Sequence, residues 1–234
     1  MAINHEMNYY NYGKTLDCQG VMPVYGGGVN PEPKHEYVDL GLPSGLKWAT
    51  FNIGASTPEE YGLYFAWGET SGYTADYVGI DKDFTWEDYK FGVYNPNAFW
   101  VMTKYNDNDG LTTLESEDDA ATANWGSDWR MPTRDDFDEL YQHTDVEWKN
   151  NGILLTSREN GKSLFLPCVG MAREGVLYDG KDADTEGWYW SSFLTENVET
   201  DAFSFAFGGG FHGSDYTYYR GYGCAVRPVF SQNL

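Results

Sequence analysis

The residues best suited to chemistry lie near the C-terminus, where residues 211–223 read FHGSDYTYYRGYG. This segment combines tyrosine with glycine, serine, aspartate and histidine, and candidate strands flank it on both sides. Tyrosine supplies a large contact area at low entropic cost, while glycine and serine adapt their shape and hydrogen bonds to a partner. The composition therefore predicts a binding surface, and the chemistry it favours is recognition.

The residues that could support catalysis, acids and histidines, give a weaker signal than this segment does. The acidic pairs fall at turns and at helix starts. Near a helix start, carboxylates interact favourably with the positive end of the helix dipole. The histidines are far apart in sequence and form no motif: His5, His35, His143 and His212. An enzyme is therefore the least favoured of the functional classes.

Metal sites are not indicated either. Residues 107–110 read DNDG, but an EF-hand loop would then begin at Tyr105 and end at Ser116, and neither is a carboxylate. A turn is favoured, because Asn and Asp tolerate left-handed backbone and glycine adopts it freely. We expect no structural metal and no cofactor.

The three cysteines are Cys18, Cys168 and Cys224, and their wide spacing matches neither a disulfide framework nor a zinc site. Cys168 follows an apolar run and is predicted to lie in the core. Cys224 has arginines near it in sequence, which would suit a reactive thiol, but a half-buried strand position is the favoured interpretation.

Composition limits the partners. A net charge of −21 argues against binding nucleic acid or an anionic membrane, because both need clustered Lys and Arg. No apolar run approaches the ~20 residues of a membrane span. The start of the sequence lacks the basic and apolar regions of a signal peptide, so we expect another route of export, no export, or a leader that was removed.

The elements that must position the candidate surface are short. Turn signals divide the chain into an extension or linker, residues 1–34, and one α+β domain, residues 35–234. Caps predict two short helices, at residues 57–62 and 133–142, the second beginning at Thr133.

The remaining segments predict short strands separated by turns. Phe203, Phe205 and Phe207 alternate with Ser204 and Ala206, which predicts a half-buried strand with the phenylalanines toward the core. Other candidate strands lie at residues 21–25, 37–49 (a hairpin), 153–156, 163–169 and 225–229. Residues 70–110 carry few periodic signals, and residues 170–186 are predicted to form a loop.

The C-terminal segment also has a compositional gap. Lys, Glu, Gln, Met and Trp make up 43 of the 234 residues, and none occurs between residues 200 and 231. These five amino acids have only codons that end in a purine. Codons with randomised adenines and a fixed final pyrimidine cannot encode them, so the gap is typical of adenine-directed diversification. The alternative is that tyrosine- and glycine-rich segments lack these residues anyway.

Six motifs of this chain resemble, in this order, a family of bacterial surface proteins common in gut Bacteroidetes, the Fibrobacter-type major paralogous domain. They are YVDLGLPSGLKWAT, PEEYGLYFAWGET, ESEDDAATANWGSDWRMPT, LFLPCVG, GWYWSS and AVRPV. The resemblance covers about residues 36–230. That family is similar to the C-type-lectin-like fold, which also occurs in formylglycine-generating enzymes and in the variable proteins of diversity-generating retroelements.

The resemblance implies a C-type-lectin-like domain whose C-terminal part displays diversified residues. Positions with an implied scaffold role are Trp125, Trp129, Arg130, Pro132, Trp190, Gly223, Val226 and Arg227. The implied ligand-binding surface consists of Ser204, Ala206, His212, Ser214, Asp215, Tyr216, Tyr218, Tyr219, Gly221 and Tyr222. Arg220 is ambiguous, because the family often holds arginine there as framework.

Departures from the related families narrow the function. The chain has no Glu-Pro-Asn, Gln-Pro-Asp or Trp-Asn-Asp triplet, so the calcium-dependent sugar site of true C-type lectins is not supported. Formylglycine-generating enzymes use a pair of cysteines near the C-terminus, where this chain has only Cys224.

The favoured function is therefore a non-enzymatic variable protein that binds a protein or glycan ligand at a cell surface or on a phage particle. The alternatives are an adhesive or carbohydrate-binding surface domain of fixed specificity and, less favoured, an enzyme of formylglycine-generating type.

Overall fold

The computed structural model describes residues 35–178, 186–196, 198–209 and 211–230. Within these ranges two short helices, α1 (Ala120–Trp125) and α2 (Arg134–Gln142), accompany small and mostly antiparallel sheets, so the domain is α+β. The strands are β1 (Tyr37–Asp39), β2 (Lys47–Ala49), β3 (Tyr64–Phe65), β4 (Gly92–Asn95), β5 (Phe99–Met102), β6 (Trp129–Arg130), β7 (Thr144–Lys149), β8 (Gly152–Ser157), β9 (Ser163–Pro167), β10 (Met171–Arg173), β11 (Val176–Tyr178), β12 (Gly187–Leu194), β13 (Asp201–Gly208), β14 (Phe211–Tyr219), β15 (Cys224–Ala225) and β16 (Val229–Phe230). The predicted extension, residues 1–34 with its candidate strand, lies outside the described residues.

The predicted helix at residues 133–142 is confirmed as α2. The side chain of Thr133 accepts a hydrogen bond from the Asp136 backbone N–H at 3.1 Å, and the Asp136 carboxylate accepts one from the Thr133 N–H at 2.7 Å. This reciprocal capping box satisfies two backbone donors that the first helical turn leaves free. Phe137 and Leu140 are fully buried on the inner face of the helix.

The predicted helix at residues 57–62 is wrong, because this segment forms turns. The Glu60 carboxylate accepts from the Ser56 N–H at 2.6 Å, so it does not complete the expected cap. Gly62 has a φ of 76°, and a side chain there would place its Cβ 2.4 Å from the Ile53 carbonyl oxygen. The chain bends back here, and a left-handed glycine is incompatible with a continuing helix.

After a single 3₁₀ turn at Ala75–Tyr77, the first α-helix in the described residues is instead α1. The Asp119 carboxylate caps it by accepting from the Thr122 N–H at 2.9 Å, and it also accepts from the Met131 N–H at 2.9 Å. Burial outweighs these donors and raises the pKa of Asp119. One carboxylate therefore joins the start of α1 to the end of β6.

Two sheets organise the domain, in the orders β14-β13-β12-β15-β3 and β1-β2-β16-β6. The predicted strand at residues 225–229 is split between them, since Ala225 pairs in the first sheet and Val229 in the second. Between them lies buried Arg227, which donates to the Asn52 side chain at 2.7 Å and to the Thr50 carbonyl at 3.0 Å. Burial lowers the pKa of Arg227 to about 10. The chain end thus ties both sheets together.

Two hairpins occur where the sequence predicts little structure. β4 and β5 pair within the segment that lacked periodic signals. β10 and β11 pair within the predicted loop at residues 170–186, which corrects that prediction. Glu174 and Gly175 connect them with φ angles of 51° and 72°. Positive φ at both central residues is typical of a type I′ hairpin turn, and a glutamate at the first of them gives no sequence signal for it.

The core lies between α2 and the five-stranded sheet. Phe137 stacks on Phe205 with ring centroids 5.0 Å apart and an interplanar angle of 5°, and it also contacts Trp48 of the second sheet at 5.1 Å. Phe205 and Phe207 are fully buried. No helix in the described ranges is long and apolar enough to cross a bilayer.

Candidate ligand-recognition surface

The tyrosine-rich segment forms a nine-residue strand, β14, at one edge of the five-stranded sheet. Its pairing with β13 is irregular. Ala206 pairs with Gly213 and Ser204 pairs with Tyr216, so β14 has one residue more than β13 in this interval. Such a bulge re-aims the side chains that follow it. It determines which residues of β14 face α2 and which face away from it.

Side chains at and before the bulge contact α2. The three contacts are Arg134 with Asp215, Asp138 with Ser214, and Tyr141 with His212. The first is an ion pair, the second a hydrogen bond and the third a ring contact at 5.0 Å. The helix residues are spaced four and three apart, so they share one helix face. Three of the predicted ligand-binding residues are therefore held by the helix.

Past the bulge, β14 presents aromatic rings on the opposite side of the sheet. Tyr216 and Tyr218 contact Trp188 of β12, with ring centroids at 6.0 and 4.7 Å. Phe211 lies 5.1 Å from Tyr216, and Tyr222 lies 5.8 Å from Tyr218. Cross-strand aromatic contacts of this kind stabilise a sheet. Trp188 is buried, whereas Phe211, Tyr216, Tyr218 and Tyr222 are half-buried and keep part of each ring available to a partner.

The ring contacts continue beyond the strand. Tyr219 contacts Tyr222 at 5.4 Å and Trp86 at 5.7 Å, and Trp86 stacks near Trp100 of β5 at 6.2 Å. Tyr94 of β4 follows at 5.7 Å from Trp100. We call this continuous set the aromatic surface: Tyr94, Trp100, Trp86, Tyr219, Tyr222, Tyr218, Trp188, Tyr216 and Phe211.

The aromatic surface is accessible at Tyr219 of β14 and at its β4–β5 end. Tyr219 is 45 % exposed and Tyr94 is 59 % exposed. Val93 and Phe99 of the same hairpin are 52 % and 76 % exposed. Large apolar side chains that are exposed together mark interaction sites more often than they do in isolation.

Four of the ten predicted surface residues are buried, which corrects the sequence prediction: Ser204, Ala206, Ser214 and Gly221. Ala206 pairs with Trp188, and Ser204 pairs with Tyr216 and donates to its carbonyl oxygen at 3.1 Å. Each of these small side chains stands opposite a large aromatic residue on the neighbouring strand and is buried, so alternation away from the core did not make it exposed.

The other two corrections have separate causes. Ser214 is buried because the bulge turns it toward Asp138. A Cβ added at Gly221 would lie 3.2 Å from the Thr85 carbonyl oxygen. The chain passes so close to residue 85 that Gly221 is buried. His212, Asp215 and the four tyrosines remain exposed or half-buried.

Phe203 also departs from the prediction, because it is only half-buried whereas Phe205 and Phe207 lie in the core. The guanidinium of Arg134 lies over its ring, 4.7 Å from the centroid. A cation over an aromatic face stabilises the pair at a partly exposed site. Phe203 therefore belongs to the margin of the surface.

Arg220, whose role the sequence left ambiguous, is framework. It is fully buried, and its guanidinium donates to the Tyr89 hydroxyl at 3.0 Å and to the carbonyl oxygens of Tyr105, Glu199 and Lys104 at 2.8–2.9 Å. Burial raises the pKa of Tyr89, against the lowering effect of this arginine. Arg220 thus fixes the loops behind the aromatic surface to the end of β14.

The one group of carboxylates close enough to hold a metal, in the part of the chain described, is Glu115, Glu117 and Asp118. The Lys104 ammonium lies among them at 2.6–2.9 Å, and Lys90 adds a second contact to Asp118 at 2.6 Å. Partial burial opposes ionisation of Asp118, but the two lysines outweigh it and lower its pKa. The positive charge that a metal would supply is already provided by side chains.

The DNDG segment forms a turn, as predicted. The Asp109 carboxylate accepts from the backbone N–H groups of Tyr105, Asn106 and Leu111 at 2.7–3.1 Å. These donors outweigh the desolvation of the carboxylate and lower the pKa of Asp109. Its oxygens are therefore used by the turn itself.

Cysteine chemistry is not supported by the surroundings of Cys224. The residue is fully buried, and burial raises the pKa of its thiol well above the ordinary value. A nucleophilic cysteine needs the opposite shift, toward the thiolate. The structure thus agrees with a strand position in the core.

No family model, curated protein or solved structure matches this chain. The sequence indicated β14 as a candidate surface but missed the part contributed by Trp86, Trp100 and Tyr94. A signal was present in residues 92–102, GVYNPNAFWVM, where β-branched and aromatic residues flank a Pro-Asn turn.

Proposed function

We propose that this protein is a non-enzymatic recognition protein that binds a protein or glycan ligand through the aromatic surface and the exposed residues of β14. The observation that carries the proposal is the unbroken series of ring contacts from Phe211 to Tyr94, in which Tyr219 and Tyr94 are about half exposed. Rigid, partly exposed tyrosine and tryptophan rings dominate the binding energy of interfaces.

The finer proposal is a C-type-lectin-like domain of the type found in variable proteins of diversity-generating retroelements, displayed at a cell surface or on a phage particle. Its support is the resemblance of six ordered motifs and the codon gap over residues 200–231. That interval contains β13, β14 and Tyr222, so the residues open to diversification include the exposed members of the candidate surface.

Sequencing the DNA that flanks the gene tests this finer proposal. We expect a near-repeat of the 3′ coding end, differing at adenines, beside a reverse-transcriptase gene. Flanking DNA without such a repeat would favour a fixed specificity.

A fixed-specificity carbohydrate-binding domain is the second candidate. Trp86, Trp100 and Tyr94 favour it, because they form an aromatic platform outside the codon gap. Aromatic rings present an apolar face together with a polar edge, which suits the C–H faces and hydroxyls of a sugar.

A binding comparison tests recognition itself. The labelled protein is applied to a glycan array and to a panel of purified surface proteins, and any ligand found is titrated against Tyr219→Ser, Tyr94→Ser and Tyr77→Ser. Tyr77 is 50 % exposed and lies outside the aromatic surface, so it is a matched control. We expect the first two changes to weaken binding by more than about fivefold, as loss of a hot-spot ring does. Equal effects of all three would reject the assignment.

A further inference from the structure

The β4–β5 hairpin has one face of exposed apolar side chains. Val93 stands directly opposite Val101, and Phe99 lies two residues before Val101 on β5, so these three side chains share a face. All three are exposed. Tyr94 and Trp100, which belong to the aromatic surface, also pair with each other and lie on the other face. We call Val93, Val101 and Phe99 the apolar face.

The backbone at Phe99 is strained and holds the most exposed ring of this face in solvent. The preceding turn is closed by the Ala98 N–H, which donates to the Asn95 carbonyl oxygen at 3.1 Å, and Phe99 follows with a φ of 59°. Glycine is the usual residue at this left-handed position of a three-residue hairpin loop, because a side chain is disfavoured there. A bulky residue kept in such a conformation is typical of functional sites. Phe99 therefore indicates that the apolar face has a partner.

The apolar face lies in an uncharged part of a strongly charged chain. Residues 91–103 contain no Asp, Glu, Lys or Arg, whereas the whole chain has 15 Lys and Arg and 36 Asp and Glu. The two lysines that border this segment, Lys90 and Lys104, both form ion pairs with Asp118. A cationic partner finds better charge complementarity elsewhere on the protein, so the apolar face suits a contact to which neither side brings a charge.

A second copy of this chain is the partner that these features favour. Two molecules of net charge −21 repel each other, and the repulsion is least where the contact itself is uncharged. A pair of opposed valines can pack against the same pair across a two-fold axis, which is the symmetry of most homodimers. The apolar face also lies outside residues 200–231, so it stays constant while that segment is open to diversification. A copy of the chain brings an equally constant face.

We propose that the chain forms a two-fold symmetric dimer in which the apolar faces of two copies pack together, with Phe99 of each copy on the valine pair of the other. The dimer is weak, because a face of two four-residue strands is small beside a standard interface of about 1,600 Å². Tyr94 and Trp100 lie on the opposite side of the hairpin, so each copy keeps its aromatic surface free. The dimer thus binds a repetitive ligand with avidity. This bivalent binding rests on the proposed function, whereas the dimer itself does not.

Sedimentation velocity of the full chain tests the dimer. We expect a monomer–dimer equilibrium between about 1 and 300 µM, the affinity range of a small interface. Raising the salt from about 0.15 M to 1 M shortens the Debye length from about 8 Å to 3 Å. We expect this change to strengthen the dimer, because it screens the repulsion between the copies and leaves the apolar contact intact. A chain that stays monomeric up to about 300 µM, or a dimer that dissociates in salt, would overturn the proposal.

Two variants within the apolar face and one outside it locate the contact. Val93→Lys buries a charge in the dimer and is expected to raise its dissociation constant by about tenfold or more, although the added cation reduces the general repulsion. The matched control is Val176→Lys, because Val176 is 47 % exposed, close to the 52 % of Val93, and lies on the separate β10–β11 hairpin. Phe99→Asn removes the ring, and asparagine tolerates left-handed backbone, so we expect the dimer to weaken while the melting temperature stays the same or rises.

The outcomes separate the dimer from ligand recognition. Equal weakening by Val93→Lys and Val176→Lys, or a dimer that Phe99→Asn leaves intact, would overturn the proposal. A monomeric chain that still binds a ligand through Tyr219 would leave the proposed function standing. A dimer that binds no ligand on the arrays would leave the dimer standing and reject the proposed function.

Discussion

Single side chains show how neighbouring strands can be core at one position and exposed at another. Phe205 is fully buried and stacks on Phe137, whereas Tyr219 is 45 % exposed and its ring contacts those of Trp86 and Tyr222. Truncating a buried side chain destabilises the fold strongly, because the truncation leaves a cavity that the surrounding residues fill only in part.

We expect Phe205→Ala to lower the free energy of unfolding by about 3–5 kcal/mol. Tyr219→Ser should cost about 0.5 kcal/mol, as exposed substitutions do. Tyr218→Ser should fall between them, since this half-buried ring packs on Trp188 at 4.7 Å. Urea denaturation of the three variants measures the order. If Tyr219→Ser destabilised the protein as much as Phe205→Ala, the tyrosines would be core.

Arg220 gives a second prediction at this scale. Arg220→Met would leave three carbonyl oxygens and one hydroxyl without their buried donor. We expect a loss of about 3–5 kcal/mol, the cost of removing one member of a buried charged network. The matched control is Arg173→Met, because Arg173 is only partly buried and its guanidinium lies over the Tyr178 ring. Thermal melts that shifted equally for both variants would contradict a framework role for Arg220.

Secondary-structure elements differ in how much of them the sequence predicts. Thr133 and Asp136 predict the start of α2 correctly, because a capping box is a local interaction that its own residues complete. The same signal at Thr57 predicted a helix at residues 57–62, where the chain forms turns. There a left-handed Gly62, close to the Ile53 carbonyl, reverses the chain, and this approach is a tertiary contact.

The candidate site illustrates the same limit. Alternation located β13 correctly but placed Ser204 and Ala206 at the surface, since it cannot show that Tyr216 and Trp188 stand opposite them on the neighbouring strands. The bulge in β14 was likewise invisible, because it depends on pairing with β13. Local patterns predicted the strands, and the cross-strand partners decided exposure.

The loop network around Asp118 predicts a dependence of stability on pH. Lys104 and Lys90 lower the pKa of this carboxyl below its unfolded value, so the network stabilises the fold above that unfolded value and the contribution is lost as pH falls through the lowered pKa. We expect Asp118→Asn to be less stable than the natural chain at pH 7, and the difference to shrink on acidification to about pH 3. A difference that stayed constant between the two pH values would contradict the network. Asp81→Asn serves as the control, because Asp81 is exposed and lies outside this network.

Across the whole molecule, a buried frame can be distinguished from an exposed surface that we propose to be changeable. The frame consists of α2, the buried phenylalanines and the two buried arginines, which tie the sheets and loops to the C-terminal strands. The changeable part comprises the exposed positions of β14 and the turn that follows it. We propose that substitutions at these exposed positions change specificity while the frame preserves the fold.

Display of two codon libraries on yeast tests whether the exposed positions of β14 and the following turn can change without loss of the fold. One library randomises His212, Tyr219 and Tyr222, and the matched library randomises Ser204, Phe205 and Ala206, with protease resistance as the measure of folding. We expect most clones of the first library to resist protease and few of the second to do so, because the second set is fully buried. Equal loss of resistance in both libraries would contradict the claim that β14 carries a changeable recognition surface.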